Sequence, residues 1–371
     1  MDNRVFLLQV DSYNPELLYY AMQFVEQQIG LQKILGEKSV LLKPNLLVSA
    51  AAESAVCTHP EVIRALARVL NRKHVQLGDS PAFGSTESVA KAAGIYAVCQ
   101  DENLEIVDFN NPIPAETPKN AKVNSIQLAS AVVNAGAVIN CAKLKTHALT
   151  RYTGAVKNLY GCLPGKLKAQ MHLRMDKTEA FSDYLLDIYL TVNPVLSLVD
   201  GIVAMEGNGP RNGTPRKIGV LIAGCDGVAV DTVACSVVGI DPLSVPTIRA
   251  ARSRGIGFSN IEEIEVIGAK ISDVQVLDFR TIHGSDNTLK NMPPFLKSLL
   301  RQQLTAHPFV SQGSCINCGV CLEACPAAAV TLKDFAVIDD QQCIRCYCCQ
   351  ELCPEGAVSL RRRGLGRLFK A

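Results

Sequence analysis

The chain has 371 residues, of which 48% are hydrophobic, and a formal net charge of +2. This length favours two or three domains, and the small net charge argues against nucleic-acid binding through a broad basic surface. No stretch approaches the roughly 18 uncharged apolar residues of a membrane-spanning helix. The first apolar run, residues 5–10, is too short for a signal peptide. We therefore expect a cytoplasmic protein with no membrane span and no nucleic-acid partner.

Residues 1–280 have the pattern of an α/β domain. Short apolar runs alternate with longer amphipathic segments, which indicates βαβ units and a mainly parallel sheet flanked by helices. The candidate strands are residues 5–10, 40–42, 75–77, 137–140, 195–199 and 218–223. One helix is predicted from the capping box Thr58-x-x-Glu61 and the helical apolar spacing after it. A second helix is predicted after Asp226, ending at Gly239.

Polar residues follow several of the predicted strands. In open α/β sheets, ligands bind beyond the carboxyl ends of the strands. The residues found there are Lys43, Asn45, Asp79, Lys143, Lys145, His147 and Asp200. A chain that leaves a sheet turns polar in any case, so each residue alone also has a structural explanation. Taken together, they indicate a binding site.

The densest group lies in residues 143–161, which also contain Lys157 and Asn158. Lysine charge, asparagine hydrogen bonding and a histidine proton carrier suit a small phosphate or carboxylate ligand. We expect Lys145 and Lys157 to bind and polarise the substrate and His147 to carry a proton. The other candidate substrate-binding residues are Lys43, Asn45, His59, Asp79, Lys143, Asn158, Asp200 and Glu206. His59, at a predicted helix start, either adds an anion contact through backbone N–H groups or is structural.

Other ligands are less well supported by the sequence. His147 and His172 are also possible metal ligands, with Glu206 or Asp226, although no tight metal spacing supports this alternative. Residues 161–167 are one residue short of a P-loop and have Leu167 where Ser or Thr would hold magnesium. Residues 207–213 do not match the dinucleotide-binding fingerprint. ATP and NAD are therefore not expected.

The composition changes after residue 280. Residues 281–312 are rich in proline around a short helix-like run at 295–304, and we interpret them as a linker to a separate module at 313–371. In this module, residues 329–332 and 335–338 are predicted to form a hairpin, and residues 357–360 repeat its first strand. The internal repeat has a period of 28 residues, counted from Cys315 to Cys343.

Eight cysteines of the module form two matched C-x2-C-x2-C-x3-C-P motifs. Such a motif supplies three thiolates to one [4Fe–4S] cluster, and its fourth cysteine ligates the other cluster. The predicted ligands are Cys315, Cys318, Cys321 and Cys353 for one cluster, and Cys343, Cys346, Cys349 and Cys325 for the other. Two zinc sites would not need the Cys-Pro endings, and disulfides do not suit a reducing compartment. Cys348 belongs to neither motif, and we interpret it as a small packed side chain.

Two resemblances follow from these residues. The cysteine module resembles the bacterial-type two-cluster ferredoxin, which implies electron transfer. The larger part resembles an uncharacterised family, domain of unknown function 362, which is often fused to a ferredoxin module. The matching blocks are residues 43–46, 58–61, 78–81, 143–147, 153–161, 199–201, 205–210 and 228–231. This family implies a single domain over most of residues 38–270 but no settled activity.

The sequence leaves two main functional hypotheses open. The first is a redox enzyme whose two [4Fe–4S] clusters relay electrons to a small anionic substrate in the α/β domain. The second is a non-catalytic electron carrier or maturation factor that docks a redox partner protein. A third reading, acid–base chemistry with clusters as structural supports, is kept as a lesser alternative.

Overall fold

The structure is a computed structural model that describes residues 2–165, 167–175, 177–281 and 305–361. The helix-like run predicted at 295–304 and the basic residues after Arg361 lie outside these ranges. Within the described residues, nine strands form one large sheet, a short hairpin lies beside it, and four further strands belong to the cysteine module.

The large sheet is mainly parallel, as predicted. Its strands are β1 (Arg4–Gln9), β2 (Val40–Pro44), β3 (Val75–Asp79), β4 (Glu105–Asp108), β7 (Ala137–His147), β8 (Arg151–Thr153), β9 (Leu196–Glu206), β10 (Thr214–Gly224) and β11 (Glu265–Gly268), and β5 (Pro112–Glu116) pairs with β6 (Ser125–Ala129) in the hairpin. The order is β11-β1-β10-β9-β7-β2-β3-β4, with β8 paired to β7. All neighbours from β9 to β4 are parallel, whereas β10 runs antiparallel to β9 and β1.

Helices cover both faces of the sheet. They are α1 (Pro15–Ile29), α2 (Leu31–Leu35), α3 (Pro60–Leu70), α4 (Thr86–Ala92), α5 (Ile95–Asp101), α6 (Ser130–Val133), α7 (Ala155–Asn158), α8 (Leu167–Arg174), α9 (Thr178–Val192), α10 (Gly227–Val237), α11 (Pro246–Arg254) and α12 (Ile271–Val274). Because strand side chains alternate between faces, Phe6 packs with the core that contains α1 and α3. Its neighbours Val5 and Leu7 pack with α10 on the other face.

The start of α3 differs from the prediction. The helix lies where the apolar spacing placed it, but its N-cap is His59, whose Nδ1 accepts a hydrogen bond from the Glu61 N–H at 3.2 Å. Thr58 is not the cap, because its hydroxyl donates to the Cys141 carbonyl at 2.7 Å and accepts the Asn45 N–H. Pro60 at the first helical position needs no N–H partner, which favours a helix that begins there. The helix after Asp226 is confirmed as α10, and Asp226 caps it.

The cysteine module is a small α+β unit. It contains the predicted hairpin, β13 (Val330–Leu332) with β14 (Ala336–Ile338), and the short helices α13 (Val320–Glu323) and α14 (Cys348–Leu352). Strand β15 (Val358–Arg361) pairs antiparallel with β12 (His307–Val310) through four residue pairs. This pairing places residues 307–310, which lie at the end of the segment predicted as a linker, beside the last strand of the module.

The module packs directly on the α/β domain through α14 and the residue before it. Leu352 belongs to the same apolar cluster as the residues beneath α1 and α3. The ring of Tyr347 is only 2% exposed and packs in the cluster on the opposite face of the sheet, beneath α9. This contact brings α14 to the carboxyl ends of the central strands.

Candidate functional site

Two lysines, one near the carboxyl end of β2 and one within β7, are held in buried ion pairs. Lys43 Nζ lies 2.8 Å from Asp79 Oδ1 and donates to the Pro44 carbonyl at 2.7 Å. Lys143 Nζ lies 2.8 Å from Asp200 Oδ2, and neither side chain is exposed. Asp79 ends β3, which pairs with β2, whereas Asp200 lies within β9, which pairs with β7. Each charge is therefore already matched within the protein.

Lys145 is bound differently from these two lysines. Its ammonium group donates to Asn45 Oδ1 and to the Val56 carbonyl, both at 2.7 Å, and the residue is only 1% exposed. These two acceptors are neutral. Burial lowers the pKa of Lys145 to about 7, and the nearby charges of Lys157 and Lys143 contribute to the decrease. A group with this pKa can exchange a proton near neutral pH.

A chain of side-chain amides fixes the acceptor that Lys145 uses. Asn45 Nδ2 donates to Asn158 Oδ1 at 2.9 Å, and Asn158 Nδ2 donates to Asn140 Oδ1 at 2.8 Å. Asn140 in turn donates to the Ala155 carbonyl at 2.8 Å. The chain joins β2, α7 and β7, so the orientation of Asn45 is set by residues more than 90 positions away in sequence.

Helix α7, which carries Lys157 and Asn158, is anchored at its start by Asp231. The carboxylate accepts the Ala155 N–H at 2.6 Å, the Val156 N–H at 3.0 Å and the Tyr152 hydroxyl at 3.0 Å. These are N–H groups at the start of a helix, which bind anions well. Burial raises the pKa of Asp231 to about 7 despite these bonds. Gly154 is required because a Cβ there would overlap the Tyr152 hydroxyl.

The anion that contacts His59 is the carboxylate of Asp200, a residue of the chain itself. The backbone N–H of His59 donates to Asp200 Oδ2 at 3.1 Å. Its ring stacks on Tyr13 with 3.4 Å between ring centroids, and the Tyr13 hydroxyl donates to Asp200 Oδ1 at 2.9 Å. Sequence reasoning missed Tyr13, although it lies just beyond the carboxyl end of β1, where a polar residue would be sought.

Glu206 is placed outside this network. Its carboxylate binds Arg280, with Oε1 2.8 Å from Nε and Oε2 accepting the backbone N–H at 3.0 Å. Asp226 is also engaged elsewhere, since it caps α10 and accepts the Phe258 N–H at 2.8 Å. The alternative metal set of His147, His172, Glu206 and Asp226 is therefore not assembled. In the ranges that the structure describes, no three His, Cys, Asp or Glu side chains converge as ligands of a single metal ion would.

His147 contacts a residue of the cysteine module. Its Nε2 lies 2.8 Å from Oε1 of Glu351 on α14. Its Nδ1 accepts the backbone N–H groups of Leu149 at 3.0 Å and Thr150 at 3.3 Å, so the ring proton is on Nε2. Burial alone would raise the pKa of Glu351, but His147, Lys157 and His172 lower it to about 2. No local pattern indicates that a glutamate between two cysteines would reach this site.

Lys157 is a further basic residue that interacts electrostatically with Glu351. Burial lowers the pKa of Lys157, whereas the charges of Glu351 and the Cys348 thiol oppose that decrease. Its ammonium group lies 5.8 Å from the centre of the Tyr160 ring. His172 is 6% exposed and stacks on Phe181, and burial lowers its pKa to about 4. The spare cysteine, Cys348, is 7% exposed, as expected for a packed side chain.

The loop at 207–213 holds α14 against the sheet domain. Arg211 Nη1 donates to the Leu352 carbonyl at 2.6 Å, and Asn212 Nδ2 donates to the Cys353 carbonyl at 3.0 Å. In return, Gln350 Nε2 donates to Asn208 Oδ1 at 2.8 Å. This glycine-rich loop, which did not match a nucleotide fingerprint, is a docking surface for the cysteine module.

The two halves of the cysteine module repeat in backbone conformation. Asn317 and Gly319 have φ of 56° and 81°, and their counterparts 28 residues later, Arg345 and Tyr347, have φ of 57° and 64°. Left-handed residues are uncommon outside glycine, so their recurrence at this period supports a true internal duplication. Alternating turns of this kind direct backbone N–H groups toward an enclosed anion.

The cysteines fit a thiolate-bound cluster. A small cavity is lined by Cys315, Cys318, Cys321 and Cys353, the set predicted to share one cluster. The fourth cysteine of each motif accepts a backbone N–H on sulfur: Cys325 from Ala329 and Cys353 from Ala357, both at 3.2 Å. Hydrogen bonds to cluster sulfurs tune reduction potential.

The cysteines of the second predicted set surround Cys349 together with one cysteine of the first set. Burial raises the pKa of Cys349, and the neighbouring thiols of Cys346, Cys343, Cys325 and Cys321 increase it further.

An α/β sheet domain docked on a small, duplicated, cysteine-rich domain defines an iron–sulfur protein. Residues 314–357 match the model of the 4Fe-4S dicluster domain. Residues 40–236 match the family described as Domain of unknown function (DUF362). The chain belongs to that family and carries a 4Fe-4S dicluster domain, which confirms both resemblances.

A curated relative and two solved structures share part of this chain. A thylakoid-associated protein of Synechocystis sp. is 36% identical over 261 residues, which cover 69% of this chain and 81% of that protein. The lactate racemase apoprotein of Thermoanaerobacterium thermosaccharolyticum is 15% identical, with a TM-score of 0.39 over 59% of this chain and 53% of that one. A Thermotoga maritima protein is 14% identical, with a TM-score of 0.39 over 61% and 59%. The chain thus spans little more than half of either solved structure.

Among the helices of the described ranges, none combines the length and the apolar character needed to cross a bilayer.

Proposed function

We propose that this protein is a redox enzyme in which two [4Fe–4S] clusters relay electrons to a small anionic substrate in the α/β domain. The observation that carries the proposal is the 2.8 Å contact between Glu351 and His147. It joins the helix that contains the cluster ligand Cys349 to the polar residues at the strand ends. The two halves of a redox site are thereby in direct contact. The proposal includes a cytoplasmic location, where thiols stay reduced.

The ligands in this proposal are the two crossed sets of four cysteines. When bound, the clusters supply electrons one at a time, at potentials that their surroundings set. A redox partner protein is the source of these electrons. The substrate takes up two electrons and two protons, so that an unsaturated bond becomes saturated and no atom is lost.

Lys145 is the best proton carrier in the site. Its pKa of about 7 allows it to give a proton at neutral pH and regain it from solvent. His147 is less suited to this role, because its Nδ1 is held by two backbone N–H groups and burial lowers its pKa. We therefore assign His147 to positioning and Lys157 to binding the substrate anion. Lys43 and Lys143 keep the site in place through their fixed ion pairs.

The test is reoxidation of reduced protein by small molecules. Anaerobic protein is reduced with dithionite, freed of excess reductant and mixed with small 2-oxo acids, unsaturated carboxylates and phosphate esters that carry a carbon–carbon or carbon–oxygen double bond. We expect one class to reoxidise the clusters in the wild type, and Lys145→Met and Lys157→Met to lose this reaction while keeping full iron content. The control is Lys91→Met, because Lys91 is exposed and distant in sequence from the site. Equal rates in all variants would remove the assignment.

A non-catalytic electron carrier or maturation factor is the second candidate. One observation favours it: Cys318 is exposed, and the apolar side chains of Ile316 and Leu322 near it are 63% and 42% exposed. Such a surface beside a cluster suits docking of a redox partner protein. An anaerobic pull-down that recovers a stoichiometric redox partner, together with no reoxidation by any small molecule, would favour this candidate.

A further inference from the structure

Glu351 differs from the other buried carboxylates of the α/β site. Asp200 accepts hydrogen bonds from the Tyr13 hydroxyl, from Lys143 and from two backbone N–H groups. Asp231 and Asp79 each accept two backbone N–H groups in addition to a side chain. By contrast, Oε1 of Glu351 is buried with no aligned hydrogen-bond donor among the described residues.

The atom that faces Glu351, Nε2 of His147, also lacks a well-aligned hydrogen bond among the residues that the structure describes. His147 Nε2 lies 2.8 Å from Glu351 Oε1, yet it has no hydrogen bond of normal geometry in the part of the chain described. A buried N–H that is left without an aligned acceptor is destabilising. The ring is fixed from behind by two backbone N–H groups, so it cannot turn to improve the contact. The site therefore offers a directed donor that Glu351 does not use well.

Lys157 adds a positive charge that is not matched by an ion pair. Within the described ranges no carboxylate lies at ion-pair distance from its ammonium group, whereas Lys43 and Lys143 each have one at 2.8 Å. Glu351 and Cys348 act on it only through their longer-range charge. His172 is buried on the same side and also interacts with Glu351 through charge. The cluster thus has the donors for a carboxylate but holds one imperfectly.

We propose that His147 and Lys157 form a carboxylate-binding site, and that Glu351 occupies it as an internal substitute for the substrate. The ligand class is a small carboxylate, because a carboxylate already fits the space. The carboxylate of Glu351 leaves when the substrate enters. This inference rests on the proposed function, since it names the substrate class and the entry step of that same site.

Acetate is the natural probe, because replacing Glu351 by alanine deletes the equivalent of an acetate group. Calorimetric titration of acetate into cluster-loaded protein, at constant ionic strength and without oxygen, should give at least tenfold tighter binding to Glu351→Ala than to the wild type. Adding Lys157→Met to that variant should abolish the gain. The matched control is Glu355→Ala, since Glu355 is exposed on the same module and should leave acetate affinity unchanged.

Equal acetate affinity in wild type and Glu351→Ala, with equal iron content, would overturn the inference. If the alanine variant loses its clusters, Glu351→Gln decides: a neutral amide competes less well, so affinity should still exceed that of the wild type, and no increase would refute the proposal. A failure of the proposed redox function would give a different result from a failure of the proposed binding site. Acetate binding without reoxidation by any carboxylate would keep the site and remove the enzyme, whereas reoxidation with unchanged acetate affinity would do the opposite.

Discussion

Replacing Lys143 by methionine tests whether the lysines at the strand ends are held by fixed partners. Lys143 and Asp200 have no exposed side-chain surface. Removing one member of a buried ion pair costs about 3–5 kcal/mol, because it leaves the other charge uncompensated. Asp200 would keep its bonds from Tyr13 and from the His59 N–H, so the lower end of the range applies.

A domain of this size changes its melting temperature by about 2–4 °C for each kcal/mol, so Lys143→Met should lower it by roughly 6–12 °C. The assay is anaerobic thermal unfolding of cluster-loaded protein followed by circular dichroism. The double variant Lys143→Met with Asp200→Leu should lose less than the sum of the two single variants, because it leaves no buried charge unpaired. The control Lys91→Met should change little. A decrease below about 2 °C, or full additivity in the double variant, would refute the reasoning.

Three further predictions follow from individual side chains. Gly161→Ala should lower the free energy of unfolding by about 1–3 kcal/mol, because a Cβ there would overlap Asp79 Oδ1. The denaturant midpoint should therefore fall, and an unchanged midpoint would contradict this. Burial lowers the pKa of His172 to about 4, below its unfolded value, so the unfolded state binds more protons between pH 6.5 and 4 and stability falls as pH falls. His172→Phe should flatten that slope in melting curves at pH 6.5 and 5, and an identical slope would count against it. Cys348→Ser should keep the iron content of the wild type, whereas Cys349→Ser should lose iron. Equal iron content in the two variants would contradict the ligand assignment.

The sheet was predictable where burial follows simple patterning. The candidate strands came from apolar runs, and each lies in a strand of the large sheet. Strand β7 was predicted to end at residue 140 but continues to His147, with Lys143 and Lys145 inside it. A charged residue normally ends a buried strand, and these do not because their partners are 57 and 100 residues away in sequence. The local sequence therefore does not identify these partners.

The cysteine ligands were predictable from local sequence, whereas the contact between the two domains was not. Ligand spacing is local, since a cluster constrains residues three or four positions apart. The contact between His147 and Glu351 depends instead on how two domains dock. It follows from the loop around Arg211 and from the packing of Leu352, neither of which has a pattern that identifies it.

The pairing of β12 with β15 has a consequence for how such a chain can arise. The strand that precedes the first cysteine and the strand that follows the last one are neighbours, joined over four residue pairs. Chain entry and exit are therefore on one side, and a unit with adjacent ends can be grafted onto another gene without disturbing its interior. Fusion to an unrelated α/β domain then requires only a connecting segment and one compatible helix.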